Sequence, residues 1–96
     1  MTAGDPISVL QLIPSNGYLE IKPPVGEVWM IKNIYFGNEW ELKKVASPEI
    51  SIVIGSGVNN GMWKNMTLIT DNEIFLAIQN ISASSSIYGF DGLVIK

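Results

Sequence analysis

The chain has 96 residues, of which 47% are hydrophobic and only 16% are charged, and its formal net charge is −3. It contains no cysteine and no histidine, which excludes disulfides, thiolate or imidazole catalysis, and metal sites built from these side chains. All six basic residues are lysines, and a weakly acidic chain without a basic patch is a poor ligand for nucleic acid.

The first part of the chain predicts a short arm followed by two strands. Residues 1–6 are small and polar and predict a flexible arm, and residues 7–96 predict one domain. Apolar residues recur over 7–13 and 18–22, and the turn between these segments contains Asn-Gly. Because this dipeptide is a strong hairpin signal, we expect the two strands to pair with each other.

The longest predicted strand spans residues 27–36 and follows a corner of two prolines and a glycine. Both of its faces are rich in β-branched and aromatic residues, so we expect it to be covered on both sides. Residues 39–46 include good helix formers, but Pro48 leaves a segment too short for a typical helix. The sequence therefore favours a strand there.

Four further strands are predicted over 50–55, 62–70, 74–79 and 87–96. With turn signals between them, the eight short strands predict an all-β fold, an antiparallel β-sandwich with the architecture of an eight-stranded jelly roll.

The low charge of the chain predicts that part of its surface is buried against other copies or partners. No apolar run is long enough to span a bilayer, and the N-terminus lacks the basic start and apolar centre of a secretory signal. We therefore expect a soluble chain that does not act in a membrane.

Candidate catalytic residues are scarce. Glu39 and Glu41 would lie about 7 Å apart on one face of a strand, a spacing that suits a calcium ion or two glycosidase acids. A solvated edge strand explains the same pair, and no other motif supports chemistry. The sequence therefore predicts a protein that is not an enzyme and holds no cofactor or metal.

Three tryptophans, Trp29, Trp40 and Trp63, are the most informative large side chains. Trp29 is expected in the core. Trp40 and Trp63 have polar neighbours and could stack on a sugar, although aromatic residues also anchor cores and subunit interfaces. The candidate interface or ligand-stacking residues are Trp40, Trp63, Met62 and Met66.

Residues 18–96 carry a further set of motifs. They are Pro23-Pro24, Gly26-Glu27, Trp29 and Ile31, then a Gly- and Asn-rich loop, then Asn72-Glu73, Leu76, Ile78 and Asn80, and finally Tyr88, Phe90, Gly92 and Ile95. In this arrangement the chain resembles small β-sandwich proteins of virions, namely the capsid decoration, head-fibre or spike proteins of tailed phages and archaeal viruses.

The resemblance implies a non-enzymatic structural protein located on the virion. Such a protein would self-associate around a three- or five-fold axis, as a trimer or pentamer, and would dock on a capsid protein. The alternative from the sequence is a carbohydrate- or receptor-binding β-sandwich module, whose partner would be a surface glycan.

Overall fold

The computed structural model describes residues 2–96, and these contain nine β-strands and no helix. The strands are β1 (Pro6–Ile13), β2 (Tyr18–Ile21), β3 (Trp29–Phe36), β4 (Trp40–Ser47), β5 (Ile50–Gly57), β6 (Gly61–Trp63), β7 (Leu68–Thr70), β8 (Phe75–Asn80) and β9 (Ser86–Val94). The segment that could have formed a helix, residues 39–46, is a strand, as predicted.

The strands form two antiparallel sheets that pack on each other as a β-sandwich, which confirms the predicted fold class. Sheet A has the order β1-β9-β3-β6, and β7 pairs with β3 beside β6. Sheet B has the order β2-β8-β4-β5. The strand predicted over 62–70 is divided into β6 and β7 at Asn65, whose φ of 57° interrupts extended backbone. This division gives nine strands instead of the eight predicted.

Side chains from the inner faces of both sheets fill one core. Except at the bulges, alternate residues along each strand point inward, which is the period of two that the sequence shows. The fully buried members of this core are Ile21, Ile31, Ile34, Leu42, Ile78, Tyr88 and Val94. The Tyr88 hydroxyl donates a hydrogen bond of 2.6 Å to the Glu39 carbonyl oxygen, so its buried polar atom is satisfied.

The hairpin predicted at 14–17 is wrong, because β1 belongs to sheet A and β2 belongs to sheet B. The turn itself is present: the Gly17 amide donates to the Pro14 carbonyl at 2.9 Å, and Asn16 has a φ of 64°. The turn is held by Asn80 at the end of β8, which accepts from the Asn16 amide at 2.7 Å and donates to the Gly17 carbonyl at 2.9 Å. The chain therefore arches from one sheet to the other.

Residues 4–6 of the predicted arm are attached to the end of β9. The Gly4 amide donates to the Val94 carbonyl at 2.6 Å, and the Val94 amide donates to the Asp5 carbonyl at 2.9 Å. Pro6 already belongs to β1. Met1, the first residue of that arm, lies outside the described residues.

The two faces of β3 have different surroundings. Its inner residues, such as Ile31 and Ile34, are fully buried between the sheets. On the other face Met30 and Tyr35 are only half-buried, because nothing within residues 2–96 covers that side. The expectation that β3 is covered on both sides is therefore not met by a single chain.

Candidate interaction surface

The outer face of sheet B has polar side chains at its centre, and these bind one another. Lys43 lies at its centre, and its ammonium donates to the Tyr18 hydroxyl and to Gln79 Oε1, each at 3.3 Å. The same ammonium lies 3.9 Å from Glu41 Oε1 and 5.3 Å from the centroid of the Tyr18 ring. The centre of this face is therefore polar and internally paired.

The outer face of sheet A is mostly apolar. Register places Leu10 beside Gly89, Gly89 beside Tyr35, and Tyr35 beside Met62, so one row crosses four strands. The next row pairs Leu12 with Ile87. We call Leu10, Leu12, Tyr35, Met62 and Ile87 the Leu10 band.

A second apolar row lies across the same face. Pro6 is opposite Leu93, Leu93 is opposite Met30, and Met30 is opposite Ile69. We call these four residues the Met30 band. Six large apolar side chains of the two bands are between 37 and 70% exposed. They are Leu10, Leu12, Met62, Ile69, Ile87 and Leu93. Exposed apolar side chains that lie side by side in rows, and are not scattered singly, are typical of an interaction site.

A hydrogen-bonded polar cluster separates the two bands. Asp91 lies between Ser8 and Asn33 in the sheet register. The Ser8 hydroxyl donates to Asp91 Oδ1 at 2.6 Å, and the Tyr35 hydroxyl donates a short hydrogen bond to Asp91 Oδ2. We call Ser8, Asn33, Tyr35 and Asp91 the Asp91 cluster.

The cluster holds its carboxylate in the charged form. Hydrogen bonds from Ser8 and then from Tyr35 lower the pKa of Asp91 below its ordinary value. The same contact raises the pKa of Tyr35, because its proton is held by the carboxylate. Asp91 is the one charged residue of the two bands and the cluster, and both of its oxygens are already engaged by donors of this chain.

A bulge in β3 sets which side chains reach this face. Ile31 and Ile34 both point into the core although they are an odd number of residues apart. This is possible because the pairing of β3 with β9 shifts register between Ile31 and Asn33, at Lys32. Beyond the shift, Asn33 and Tyr35 face outward together.

Gly89 lets β1 lie close to β9 beneath the Leu10 band. A Cβ at this position would overlap the Val9 carbonyl oxygen and crowd Leu10, so β1 can approach β9 only if residue 89 lacks a side chain. Gly89 is buried, and the Leu10 side chain lies against it.

The two candidate tryptophans lie together at one end of the sandwich. Trp40 is 7% exposed, and its ring stacks on Phe36 with the centroids 3.7 Å apart. The half-buried Trp63 meets Trp40 and Phe36 edge-on, at centroid distances of 5.8 and 5.6 Å. The Trp40 indole donates to the Asn59 carbonyl at 3.2 Å. The aromatic face of Trp40 is therefore used within the chain.

The two candidate methionines lie in different surroundings. Met62 is 47% exposed and belongs to the Leu10 band. Met66 is partly buried against the core, and its amide donates to the Lys32 carbonyl at 2.9 Å.

Trp29, expected in the core, is buried, and its indole donates to Glu27 Oε1 at 3.0 Å.

Of the residues in the two bands, only Met62 was predicted from the sequence as an interface residue. The pattern of apolar residues along β1 indicates this surface. In β1, Ile7 and Ile13 point inward and are buried, while Leu10 and Leu12 point outward and are exposed. An edge strand that is apolar on both faces is expected only where a partner covers the second face. The same reasoning applies to Ile87 and Leu93 in β9.

Among residues 2–96 no three histidine, cysteine or acidic side chains come together as metal ligands would. Across the same residues there is no helix with the length and apolar character that a bilayer crossing requires.

The chain stands apart in sequence comparisons. Neither a protein-family model nor a curated protein sequence matches it.

Proposed function

We propose that this protein is a non-enzymatic structural subunit that self-associates by burying the outer face of sheet A. The observation that carries the proposal is the contrast between the two outer faces, because one has a polar, internally paired centre and the other presents two apolar bands. Full burial of a Leu or Ile side chain contributes about 1.5–3 kcal/mol, so a few such side chains are enough to hold an assembly.

We further propose that the sandwich is a jelly roll. If β6 and β7 are counted as one interrupted strand, the chain has eight strands. Sheet A then has the order first, eighth, third, sixth, and sheet B the order second, seventh, fourth, fifth. Two sheets of four strands with this crossing pattern support the assignment.

A particle component is the function that these two proposals favour, and a virion is the particle that the sequence resemblance implies. Three or five copies would surround an axis, with the apolar bands at the subunit contacts and a capsid protein beneath them. The glycan-binding alternative depends on exposed aromatic faces, and the packing of Trp40 and Trp63 against Phe36 gives it no support.

The decisive experiment is the mass of the purified protein in solution, measured by light scattering across a dilution series. We expect an oligomer of three or five chains. The variant with both Leu10→Lys and Ile87→Lys is expected to lose the assembly of three or five chains, because two charges would be buried in the contact. Val25→Lys is the matched control, since Val25 is 84% exposed on a loop outside sheet A.

Circular dichroism of the variants establishes that the fold is retained. A wild-type protein that is monomeric at every concentration would refute self-association. Equal dissociation of the Val25→Lys control would show that the outer face of sheet A is not the contact.

A further inference from the structure

The edge of sheet B formed by β5 is a second feature that a single chain leaves incomplete. Within the described chain β5 pairs with β4 on one side and with no strand on the other, so half of its backbone amides and carbonyls face outward. Ile50 and Ile52 are 66 and 65% exposed, and Val53 is also exposed. Residues 50–63 include neither a charge nor a proline.

Protein edges that remain unpaired usually carry a charge, a proline or a bulge that blocks pairing. In β5 the register shift beside β4 falls at Ile54, and the Trp63 ring lies over Gly55. These features protect only the second half of the strand. A second register shift lies beside Ile50 and Ser51, but there the extra residue is Ala46 of β4. The outer edge of the first half, 50–53, is open.

The side chains of this open half suit pairing with a copy of themselves. Ile50 and Ile52 project from one side of the strand, beside Ile74 and the aliphatic part of Lys44. Ser51 and Val53 project from the other side. With no charge on the segment there is nothing for a charged peptide to recognise, whereas an isoleucine on each side of Ser51 makes the segment self-complementary about that residue.

We propose that β5 pairs antiparallel with β5 of a second copy across a two-fold axis at Ser51, which joins two four-stranded sheets B into one continuous sheet. Ile50 then lies opposite Ile52 of the second copy, and Ser51 lies opposite its counterpart. Main-chain hydrogen bonds supply the affinity, and the four isoleucines cover one another. This contact is separate from the outer face of sheet A.

Disulfide trapping tests the register directly, because the natural chain has no cysteine. In Ser51→Cys the two Cα atoms would be about 4.5–5.5 Å apart, within the range of roughly 4.4–6.8 Å that a disulfide needs. Ser56→Cys on the same strand is the matched control, since two copies of residue 56 would lie roughly 33 Å apart.

Under mild oxidation we expect Ser51→Cys to form a covalent dimer at least about tenfold faster than Ser56→Cys, because pairing raises the local thiol concentration. In the wild-type protein, amide hydrogen exchange over 50–53 is expected to slow as concentration rises. Equal trapping of both variants, preferential trapping of Ile52→Cys, or exchange that does not depend on concentration would overturn the proposal.

Placing Ser51→Cys in the Leu10→Lys, Ile87→Lys background separates the two contacts. If the disulfide still forms in that background, β5 pairs with its copy independently of the outer face of sheet A. Loss of the larger assembly in that background, with trapping retained, reports on the outer face of sheet A alone.

Discussion

At the scale of single residues, the Asp91 cluster makes stability depend on pH. Because hydrogen bonds from Ser8 and Tyr35 lower the pKa of Asp91 in the folded chain, the carboxylate stabilises the fold above the ordinary aspartate pKa. That stability is lost as the pH falls through the lowered pKa. We expect Asp91→Asn to cost about 1 kcal/mol at neutral pH, since the group is partly solvated.

Urea unfolding of the wild type and of Asp91→Asn between neutral and acidic pH measures this contribution. The difference between the two proteins should shrink as the pH falls below about 4. Asp71 also has a lowered pKa, through the backbone amides of Ile74 and Glu73, so the variant retains part of the acid sensitivity. A constant difference at all pH values would show that Asp91 contributes by shape and not by charge.

The sequence predicts which residues of a strand share a face, but it does not predict which face is buried. The strand period correctly places Trp40 and Leu42 on one face, but a period of two does not say which face is inside. Trp40 is buried because Gly57 opposite it lacks a side chain, and a Cβ there would lie 2.6 Å from the indole nitrogen. That pairing joins strands β4 and β5, and it cannot be predicted from the residues next to Trp40 in the sequence.

At the scale of elements, Asn80 joins four parts of the chain. It is fully buried, and its Nδ2 donates to the Ile13 and Ser84 carbonyls, each at 2.9 Å. Its Oδ1 accepts from the Ser82 amide at 2.9 Å and from the Ser82 hydroxyl at 2.6 Å. The side-chain amide therefore joins the end of β1, the end of β8 and the loop before β9, and the backbone of the same residue holds the arch after β1.

We expect Asn80→Ala to destabilise the fold by about 3 kcal/mol, because it leaves several buried polar groups without partners. Ser82→Ala, which removes one hydroxyl from the same network, should cost about 1 kcal/mol. Asn80→Asp keeps the shape but loses both donors, and it should resemble Asn80→Ala. Chemical denaturation gives all three values, and a mild Asn80→Asp would show that volume matters more than hydrogen bonding.

The same residue explains why the predicted hairpin is wrong. The Asn-Gly signal at 16–17 is local, and it correctly predicts a turn there. Whether the next strand returns to the same sheet depends on partners far along the chain, here Asn80 and the pairing of β2 with β8. Strand positions were therefore largely predictable from periodicity, whereas strand order was not.

For the whole molecule, the proposed contacts make folding stability depend on protein concentration. The chain combines 47% hydrophobic residues with few charges, and many of the apolar residues left outside the core lie on the outer face of sheet A and on β5. A subunit that binds its copies only when folded is stabilised by mass action. We expect the midpoint of thermal unfolding to rise by roughly 5 °C for each tenfold increase in concentration once the oligomer dominates.

Calorimetry of the wild type and of the Leu10→Lys, Ile87→Lys variant across the same concentrations checks this dependence. The variant should lose most of the concentration dependence while its midpoint at high dilution stays close to that of the wild type, because Leu10 and Ile87 are mainly exposed in the single chain. If the variant instead unfolds at a much lower temperature at every concentration, these side chains stabilise the subunit itself. The apolar bands would then be an outer part of its fold, and the case for assembly through sheet A would fail.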